Sequence, residues 1–572
     1  MGQRPIYTEP ENCQDCYKCI RECPVKAIRI ENNKAYIIEE RCIYCGHCTQ
    51  ICPTGAKKIR NGVPLVKEII KRTDKKVILS LAPSYINEFS KVSTGQLIAA
   101  IRQLGFQGVS ETALGAELVS TKVSEYLQHT SPGVYISSAC PIVVEYIRKY
   151  SQPHIQAITP VLSPLLAHAK LLKHLYGQET EIIFCGPCIG KKVEADNFQE
   201  LVSIALTFQD LKQWLKEENI CIETQTASPE DDFIPYKAGT GTLYPVEGGM
   251  LHSIQDEKRK ITKLAFSGIE NIKDVIRNLI LHREQDTLFL ELLSCKGGCI
   301  NGPGKLSADS LAVKKYNILH RCSENQAAKE IPAKEIPAID ISTQFEVDNR
   351  ITPEKYTEKE IIQALAVVGK TSATDELNCS GCGYDSCREF AKALLAGRAE
   401  ENMCVSYMRK IAHDKANVLL QKIPAGVILV NSELKIADMN RYAAHLLGED
   451  VLTIYDISPG LPGVALSKVC TFSDFFNAAL ITGKDITEKQ IRENERIWQL
   501  SVYTIQPHRL VFGLLLDLRE PYGKKEWMTE KMQEVIRKHM DTVRQIACLL
   551  GENAAYTDAT LRSILESIED KY

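Results

Sequence analysis

The sequence lacks the features that direct a chain into a membrane or out of the cell. It has no run of about 18 apolar residues, which a membrane-spanning helix requires, and its first residues contain no apolar segment of an export signal. It also lacks an excess of either charge, and a net charge of −3 gives no electrostatic reason to expect nucleic acid or anionic lipid as a partner. We therefore expect a cytoplasmic protein that binds neither membrane nor nucleic acid. Its 44% hydrophobic and 25% charged residues are ordinary for a folded soluble chain.

Cysteine, in contrast, is abundant. The 572 residues include 21 cysteines. A disulfide framework of that size is not expected in a reducing compartment, so metal binding is the leading interpretation. The length predicts about four domains, and the grouping of the cysteines helps to mark them.

The first 62 residues carry one cysteine motif twice. The segments CQDCYKCIRECP and CIYCGHCTQICP both read C-x2-C-x2-C-x3-C-P, and they begin 29 residues apart. This is the bacterial ferredoxin pattern, in which the fourth cysteine of each motif binds the cluster of the other. Structural zinc is the alternative, but this doubled spacing is not typical of zinc. We predict a ferredoxin-like module over residues 1–62 with two 4Fe–4S clusters, one bound by Cys13, Cys16, Cys19 and Cys52 and the other by Cys42, Cys45, Cys48 and Cys23.

Residues 76–322 alternate strand-like and helical segments. Four apolar runs, KVILSLAP, GVYISSACP, EIIFCGPC and TLFLELLSC, are separated by helical segments such as PLLAHAKLLKHL. This alternation predicts parallel sheets covered by helices, so the fold class is multidomain α/β. Each run leads into a turn of small residues, and in open α/β sheets ligands bind at the carboxyl ends of the strands.

Three segments of this domain resemble the signature motifs of the iron–iron (FeFe) hydrogenase catalytic domain: SSACP at 137–141, GPCIGKKVE at 186–194 and ELLSCKGGCINGPG at 291–304. The resemblance implies an H-cluster, in which a 4Fe–4S cubane is bridged to a diiron unit that carries CO, cyanide and a dithiolate. It also implies that the cubane is bound by Cys140, Cys188, Cys295 and Cys299, with Cys299 as the bridging thiolate. The two glycines between Cys295 and Cys299 would let the backbone approach a cluster closely.

The same resemblance assigns further residues to the diiron pocket. Ala82-Pro83-Ser84 follows the first strand and matches the segment that lines the pocket in the family. Lys191 stands where a lysine donates a hydrogen bond to a cyanide ligand, a use that suits a compact cation. Glu194 matches the closing glutamate of the second motif. The alternative is a domain that holds only the cubane, against which Lys191 and the 82–84 turn argue.

Several positions depart from the catalytic members of the family. Ala139 replaces a cysteine that carries protons to the diiron unit, and a methyl group has no exchangeable proton. The next relay position, usually glutamate, falls on or near Lys122, and Gly186 and Leu293 each replace a methionine. We therefore predict slow turnover at a binding site that is kept. Alanine for cysteine together with a downstream sensor module is similar to the sensory class of these hydrogenases.

Residues 353–410 contain a third motif, C-x2-C-x4-C-x16-C. It resembles the small 4Fe–4S domain of corrinoid iron–sulfur proteins and electron-transport subunits, and a zinc ribbon is the alternative. We predict a third 4Fe–4S cluster bound by Cys379, Cys382, Cys387 and Cys404. The preceding residues 323–352 repeat KEIPA without an amphipathic period, which predicts a linker.

Residues 411–520 are similar to a PAS domain, an α+β sensor module. The segment PAGVILVNSELKIADMNRYAAHLLG predicts two strands, a turn at Asn431-Ser432 and a helix after Asn440, and QIRENERIWQLSVYTI and RLVFGLLLDLRE would complete the sheet. His445 could bind haem, but a lone histidine on a helix is more often structural. Residues 524–572 place apolar side chains at steps of three and four, which predicts C-terminal helices that either dimerise or pack on their own sheet. The other cysteines are predicted to be plain thiols: Cys185, Cys221, Cys322, Cys470 and Cys548.

These features predict a sensory-type FeFe hydrogenase that binds or slowly turns over H2, relays electrons through three 4Fe–4S clusters and signals through the PAS-like module. Its partners would be H2 and protons, ferredoxin or a similar electron carrier, and a signalling protein that reads the C-terminal helices, with a homodimer as one arrangement. Two other functions stay open. One is a non-catalytic iron–sulfur redox sensor without the diiron unit, and the other is a fully active ferredoxin-linked hydrogenase that uses another proton path.

Overall fold

The computed structural model describes residues 4–72, 75–254, 260–279, 286–327, 339–351, 354–493 and 496–518. The chain divides into two units, Met1–Glu400 and Glu401–Tyr572. Among the described residues, no helix combines the length and the apolar character that crossing a membrane requires.

Short strands and helices frame the repeated cysteine motifs at the start of the first unit. These elements are β1 (Ile6–Thr8), α1 (Lys18–Arg21), β2 (Ile28–Glu31), β3 (Lys34–Ile37), α2 (His47–Ile51), β4 (Lys57–Ile59) and α3 (Val63–Lys71). Strand β1 pairs with β4 and β2 with β3, both antiparallel. Ile28 and Ile30 alternate with exposed residues along β2, so one face of this small sheet is buried.

The larger part of the first unit alternates strands and helices, as the sequence predicts. Its elements up to the second signature motif are β5 (Val77–Leu81), α4 (Tyr85–Glu88), α5 (Thr94–Gln103), β6 (Gly108–Glu111), α6 (Ala113–His129), β7 (Gly133–Ile136), α7 (Pro141–Tyr150), α8 (Pro164–Tyr176), β8 (Glu181–Gly186) and α9 (Gly190–Asn197). Those that follow are β9 (Ile204–Thr207), α10 (Phe208–Glu217), β10 (Ile261–Ser267), α11 (Ile269–Arg277), β11 (Thr287–Leu293) and α12 (Leu311–Ala327).

Two parallel sheets organise these elements. One has the strand order β6-β5-β8-β9 and the other β10-β11-β7, and every pairing within them is parallel. The four predicted apolar runs are β5, β7, β8 and β11, so the predicted α/β architecture with parallel sheets is confirmed. All residues of β5 and β11 are buried, as expected for strands covered on both faces.

The predicted linker over residues 323–352 is wrong in part. Helix α12 continues to Ala327, and residues 339–351 pack along the core instead of spanning open space. Ile341 is buried, its carbonyl accepts a hydrogen bond from the Leu162 amide at 2.8 Å, and Arg148 Nε donates to the Glu346 carbonyl at 2.7 Å. The KEIPA repeat gives no signal of this docking, because Ile341 and the residues that form the backbone hydrogen bonds follow the repeat in the sequence.

Residues 354–400 form α13 (Glu358–Val367) and α14 (Cys387–Leu395) and pack against the N-terminal module. The Ile30 amide donates a hydrogen bond to the Arg398 carbonyl at 3.0 Å. Glu354 accepts from Arg398 Nη2 at 2.6 Å and from Arg41 Nη1 at 3.3 Å. The third cysteine segment is therefore attached to the ferredoxin-like module.

The second unit begins with a helix and continues as an antiparallel sheet. Its elements are α15 (Val405–Lys422), β12 (Gly426–Asn431), β13 (Ile436–Met439), α16 (Arg441–Leu447), α17 (Glu449–Ile457), α18 (Ser473–Thr482), β14 (Ile486–Glu493), β15 (Arg496–Gln506) and β16 (Leu510–Asp517). The sheet order is β13-β12-β16-β15-β14. The predicted helix after Asn440 is present, because the Asn440 side chain accepts a hydrogen bond from the Ala443 amide at 2.9 Å. The helices predicted over 524–572 lie outside the described residues.

Candidate metal centre

The eight cysteines of the N-terminal module lie in two groups, and each group takes its fourth member from the other motif. In group one (Cys13, Cys16, Cys19 and Cys52), burial raises the pKa of Cys16 and raises that of Cys19 to about 12, and the charges of the other thiols add to both shifts. In group two (Cys23, Cys42, Cys45 and Cys48), burial raises the pKa of Cys42 to about 12 and those of Cys45 and Cys48 well above their usual range, and the charge of Cys23 adds to all three. These charge effects link the same two sets of four cysteines that the spacing predicts as ligand sets, and the assignment of the ligands stays a prediction.

Each motif bends through the same pair of left-handed positions. Asp15 and Tyr17 have φ of 43° and 54° in the first motif, and Tyr44 and Gly46 have φ of 57° and 75° in the second. Non-glycine residues are uncommon there. The equal placement of these turns gives the two motifs the same local shape, and only the second has a glycine at its tip.

A second set of thiols, the core thiol group, lies at the carboxyl ends of strands in both parallel sheets. Cys140 directly precedes α7, Cys188 lies between β8 and α9, and Cys295 and Cys299 follow β11. This edge is where α/β sheets place ligands. Gly297 and Gly298 between the last two have φ of 81° and 105°, and a Cβ at Gly298 would lie 2.3 Å from the Pro245 carbonyl oxygen. Only glycine fits that turn.

Cys140 is buried, the other three core thiols are partly buried, and the four affect one another electrostatically. Burial raises the pKa of Cys188 to about 11 and those of Cys295 and Cys299 well above their usual range, and the charges of Cys140 and its neighbours raise them further. The ammonium of Lys191 acts in the opposite direction on the pKa of Cys188 and Cys299. This donor set fits a cubane, because cluster iron binds thiolates and replaces the protons that burial would otherwise retain.

Group two of the ferredoxin-like module lies directly beside the core thiol group. A Cβ at Gly46, between Cys45 and Cys48, would lie 2.5 Å from Ile189 Cδ1 and 2.6 Å from Pro303 Cγ. Both contacted residues belong to the signature motifs that carry the core thiols. The charge of Cys45 also contributes to the raised pKa of Cys295. The two candidate cluster sites are therefore neighbours.

Lys191 is held in place by two partners near the core thiols. Its ammonium donates to Glu194 Oε2 at 2.6 Å and to Ser163 Oγ at 2.9 Å, and Ser163 Oγ donates to the same carboxylate oxygen at 2.9 Å. Lys191 is 9% exposed. This network fixes a buried cation beside the thiols and gives Glu194 a role in positioning it.

The turn Ala82-Pro83-Ser84 ends β5 at the same sheet edge. The Ala82 amide donates to the Cys185 carbonyl at 2.8 Å, and Ser84 is buried. A side chain at Gly186 would begin 2.5 Å from the Phe184 ring and 2.8 Å from Ala82 Cβ. A methionine at position 186 therefore has no room unless the Phe184 ring moves, which gives a physical reason for this departure from the family.

The proton-relay positions carry no acidic side chain directed inward. Ala139 is half-buried and contributes only its amide, which donates to Ser137 Oγ at 3.2 Å. Lys122 is exposed on α6 and pairs with Glu125 at 3.4 Å. The buried residues of that part of α6 are Val119, Ser120, Val123 and Ser124.

Two buried carboxyl groups near this edge were missed by the sequence reasoning. Burial raises the pKa of Glu291 to about 8, and its side chain accepts a hydrogen bond from the Met250 amide at 3.2 Å. Burial raises the pKa of Glu111 to about 7, and Glu111 Oε2 accepts from the Ala238 amide at 2.7 Å. The signal that could have found them is a glutamate inside or ending an apolar strand, in TLFLELL and GVSE.

The third cysteine motif is divided between the two units. Cys379, Cys382 and Cys387 belong to the first unit, and Cys404 belongs to the second, where it directly precedes α15. A Cβ at Gly383 would lie 2.9 Å from Ile20 Cγ2, so the loop after Cys382 packs on α1 of the ferredoxin-like module.

The remaining thiols and the candidate haem ligand have ordinary surroundings. Cys185 donates to the Thr207 carbonyl at 3.7 Å, Cys322 to the Gly239 carbonyl at 3.7 Å, and Cys221 is exposed. Cys470 is buried in the second unit, His445 is exposed, and Cys548 lies outside the described residues. Nowhere in the described ranges do three or more His, Cys, Asp or Glu side chains converge as they would around a single metal ion.

Comparison with family models identifies three segments of the chain. Residues 75–303 match the model described as iron only hydrogenase large subunit, C-terminal domain. Residues 7–56 match a 4Fe-4S dicluster domain, and residues 375–406 match an Fe-S cluster family model. The predicted ferredoxin-like module and hydrogenase-type α/β domain are thereby confirmed, and iron–sulfur clusters are supported in both cysteine-rich segments outside the core.

Comparison with known proteins gives distant relatives. The chain is 21% identical over 310 residues to Iron hydrogenase 1 of Clostridium pasteurianum, which covers 44% of this chain and 54% of that protein. It is 30% identical over 146 residues to the cytosolic Fe-S cluster assembly factor NAR1 of Meyerozyma guilliermondii, covering 22% and 27% of the two chains. A solved structure of the [FeFe]-hydrogenase HydA1 from Chlamydomonas reinhardtii aligns with 16% identity and a TM-score of 0.40 over 50% of this chain and 100% of that one. The chain spans about half the length of the first curated relatives it matches.

Proposed function

We propose that this protein is a sensory-type FeFe hydrogenase, because residues 75–303 match the family model described as iron only hydrogenase large subunit, C-terminal domain. It binds or slowly turns over H2 at an H-cluster, relays electrons through its 4Fe–4S clusters and signals through the second unit. The observation that carries the proposal is the core thiol group at the carboxyl ends of the parallel strands, whose thiols lie close enough to Lys191 and, at Cys295, to Cys45 of the ferredoxin-like module for those charges to shift their pKa values.

The residues of the core have different roles around the proposed cluster. When bound, the H-cluster supplies the site at which H2 is split or formed. Cys140, Cys188, Cys295 and Cys299 hold it as thiolates. Lys191, fixed by Glu194 and Ser163, would present its positive charge and its one remaining N–H to an anionic ligand of the cluster. The glycine turn before Cys299 lets the backbone approach without a side chain in the way.

Electrons leave the core through the ferredoxin-like module. Group two is in contact with the second and third signature motifs through Gly46, so it is the first acceptor. Residues 354–400 are attached to the same module by the contacts of Glu354 with Arg398 and Arg41, which supports a third cluster that receives electrons from this module. The signal is proposed to pass to α15, the helix that directly follows Cys404 and leads into the PAS-like segment.

Infrared spectroscopy tests the central claim. The full chain is produced anaerobically with the diiron maturation enzymes, and spectra are recorded before and after exposure to H2. We expect CO and cyanide bands that shift under H2. If those bands are absent although all cubanes are occupied, the hydrogenase proposal fails.

Replacing Ala139 with cysteine tests the slow turnover. A thiol at this position would stand one residue before Cys140 and restore an exchangeable proton, so we expect Ala139→Cys to raise H2 turnover by about 10-fold or more. Ala139→Ser is the matched control, because its hydroxyl has a similar size but is a much weaker acid than a thiol, so we expect a smaller gain in turnover from it. Unchanged turnover in Ala139→Cys with unaltered CO and cyanide bands would contradict the relay argument.

The second candidate is a non-catalytic iron–sulfur redox sensor that holds the cubane alone. Two observations favour it: the residue beside Cys140 is Ala139, and the Phe184 ring occupies the space next to Gly186 and Ala82. The relative from Meyerozyma guilliermondii carries the name of a cluster assembly factor and not of a hydrogenase. Iron content that accounts for the cubanes only, with no CO or cyanide bands, would establish this second function.

A further inference from the structure

A group of buried polar atoms without hydrogen-bond partners lies beside the turn 82–84. The atoms are Ser84 Oγ, Tyr85 OH, Glu111 Oε1 and Arg321 Nε, together with Thr242 Oγ1 on the short helical turn Thr240–Leu243, which packs against α6 and α12. Ser84, Tyr85, Glu111 and Thr242 are each no more than 3% exposed. Buried polar groups in proteins are almost always satisfied, and those without a protein partner are typically satisfied by ordered water.

Backbone register brings this set to the edge of the candidate diiron pocket. Glu111 ends β6 and pairs in register with Leu81, the last residue of β5. The Thr112 amide donates to the Leu81 carbonyl at 2.9 Å, which fixes the two strand ends side by side. The pocket turn begins at the next residue, Ala82, and Ser84 and Tyr85 follow it.

The opposite end of the set reaches the surface at helix α12. The Arg321 side chain is 26% exposed. Its Nη2 donates to Thr94 Oγ1 at 2.6 Å, and its Nη1 lies 3.4 Å from Glu324 Oε2. Tyr85 OH is near both Thr94 and Arg321 but forms no hydrogen bond of normal geometry with either. Such near contacts between buried polar atoms are typically bridged by water.

We propose that Ser84, Tyr85, Glu111, Thr242 and Arg321 form a water-holding chamber that conducts protons between solvent and the diiron pocket, with Glu111 as the group that takes up and releases the proton. The Glu111 carboxylate accepts a proton from water at the Arg321 end and gives it to water at the Ser84 end, which regenerates the carboxylate. This inference rests on the proposed function for the identity of the pocket, and it supplies a proton path that does not need a cysteine at position 139.

The surroundings of Glu111 keep its protonation balanced near neutral pH. Burial raises its pKa to about 7, and the charge of Glu117 on α6 acts in the same direction. The pKa of Glu111 is lowered by the hydrogen bond from the Ala238 amide and by the positive charges of Lys237 and of Arg321 on α12. Tyr85, on α4, is the remaining titratable neighbour, and burial raises its pKa so that its hydroxyl stays neutral. A group balanced in this way can both take up and release a proton at neutral pH.

The first test measures the proton on Glu111 directly. Infrared difference spectra of the full chain, with its 4Fe–4S clusters and without the diiron unit, are recorded between about pH 5 and pH 9. We expect a protonated-carboxyl band that disappears with a midpoint near 7 and is missing in Glu111→Gln. The band should remain in Glu291→Gln, which removes the other buried carboxyl group with a raised pKa, and in Glu125→Gln, which changes an exposed carboxylate on α6. A band unchanged in Glu111→Gln would overturn the assignment of the proton to this residue.

The second test measures conduction in the chain loaded with the diiron unit. We expect Glu111→Gln to lower H2 turnover by about 100-fold while the CO and cyanide bands stay unchanged, and Glu111→Asp to recover part of the loss. Tyr85→Phe, which removes one hydroxyl of the chamber, serves if Glu111→Gln does not fold, and it should act in the same direction. Full turnover in both variants would overturn the conduction path. Absence of CO and cyanide bands in the unmodified chain would instead count against the proposed function, whereas the carboxyl titration would still decide the role of Glu111.

Discussion

The two thiol groups of the N-terminal module share one spacing but have different surroundings. Gly46, in the loop of group two, contacts Ile189 and Pro303 of the core. Gly55, three residues after Cys52 of group one, has open space where a side chain would start. The same motif thus gives one site, group two, that lies against the hydrogenase-type domain through Gly46, whereas a side chain at Gly55, after group one, would meet nothing within 4 Å. Under the proposed function, group two is therefore expected to exchange electrons with the core before group one does.

Removing one cysteine from each group gives the largest expected effect. Cys45→Ala and Cys16→Ala change the second cysteine of each motif, and each should lose one cluster, about four irons per chain. In Cys45→Ala, H2 should no longer reduce the group-one cluster, because the site between it and the core is gone. In Cys16→Ala, H2 should still reduce the group-two cluster. Electron paramagnetic resonance of samples reduced by H2 distinguishes the two.

Reduction by dithionite is the control, since it reaches every remaining cluster without passing through the core. If Cys45→Ala still passes electrons from H2 to group one at the normal rate, the order of the clusters inferred from Gly46 is wrong.

The spacing alone predicts the crossed pairing of the cysteines, because the motif C-x2-C-x2-C-x3-C-P occurs twice, and this pairing stays a prediction. The parallel sheets could be predicted as well, since β5, β7, β8 and β11 are apolar runs between helices. The contact of Gly46 with Ile189 and Pro303 could not, because it joins residues more than 140 positions apart and no periodic pattern signals it. The docking of residues 339–351 was missed for the same reason, as was the convergence of Glu111 with Arg321.

Adding a methyl group to each glycine tests the contact between module and core. Gly46→Ala places a Cβ against Ile189 and Pro303 at a positive φ of 75°, so strain and overpacking add, and we expect a loss of about 2–4 kcal/mol in stability. Gly55→Ala has a similar φ of 64° and meets nothing within 4 Å, so only the backbone strain applies, about 1 kcal/mol. The denaturant midpoint of the cluster absorbance, measured anaerobically, compares them.

Equal losses in the two variants would show that Gly46 is strained but not packed against the core. A larger loss in Gly46→Ala, accompanied by slower reduction of group two by H2, would tie the packing to electron transfer.

The smallest expected effect comes from removing one lysine beside each thiol group. These variants test how far a nearby positive charge shifts the reduction potential of each cluster. Lys149 donates to the Cys42 carbonyl at 2.8 Å with a fully buried side chain, and Lys34 donates to the Cys13 carbonyl at 2.6 Å in a half-buried position. A positive charge stabilises the more negative, reduced cluster, and it acts more strongly where water is excluded. We therefore expect Lys149→Met to lower the reduction potential of the group-two cluster more than Lys34→Met lowers that of group one, as measured by redox titration followed by electron paramagnetic resonance. Since Lys149 also pairs with Glu145 at 3.3 Å, Glu145→Gln is the control for the charge left behind. Equal shifts in reduction potential at both groups would mean that solvent screens the two lysine charges alike. Only the contact of Gly46 with the core would then distinguish group two from group one.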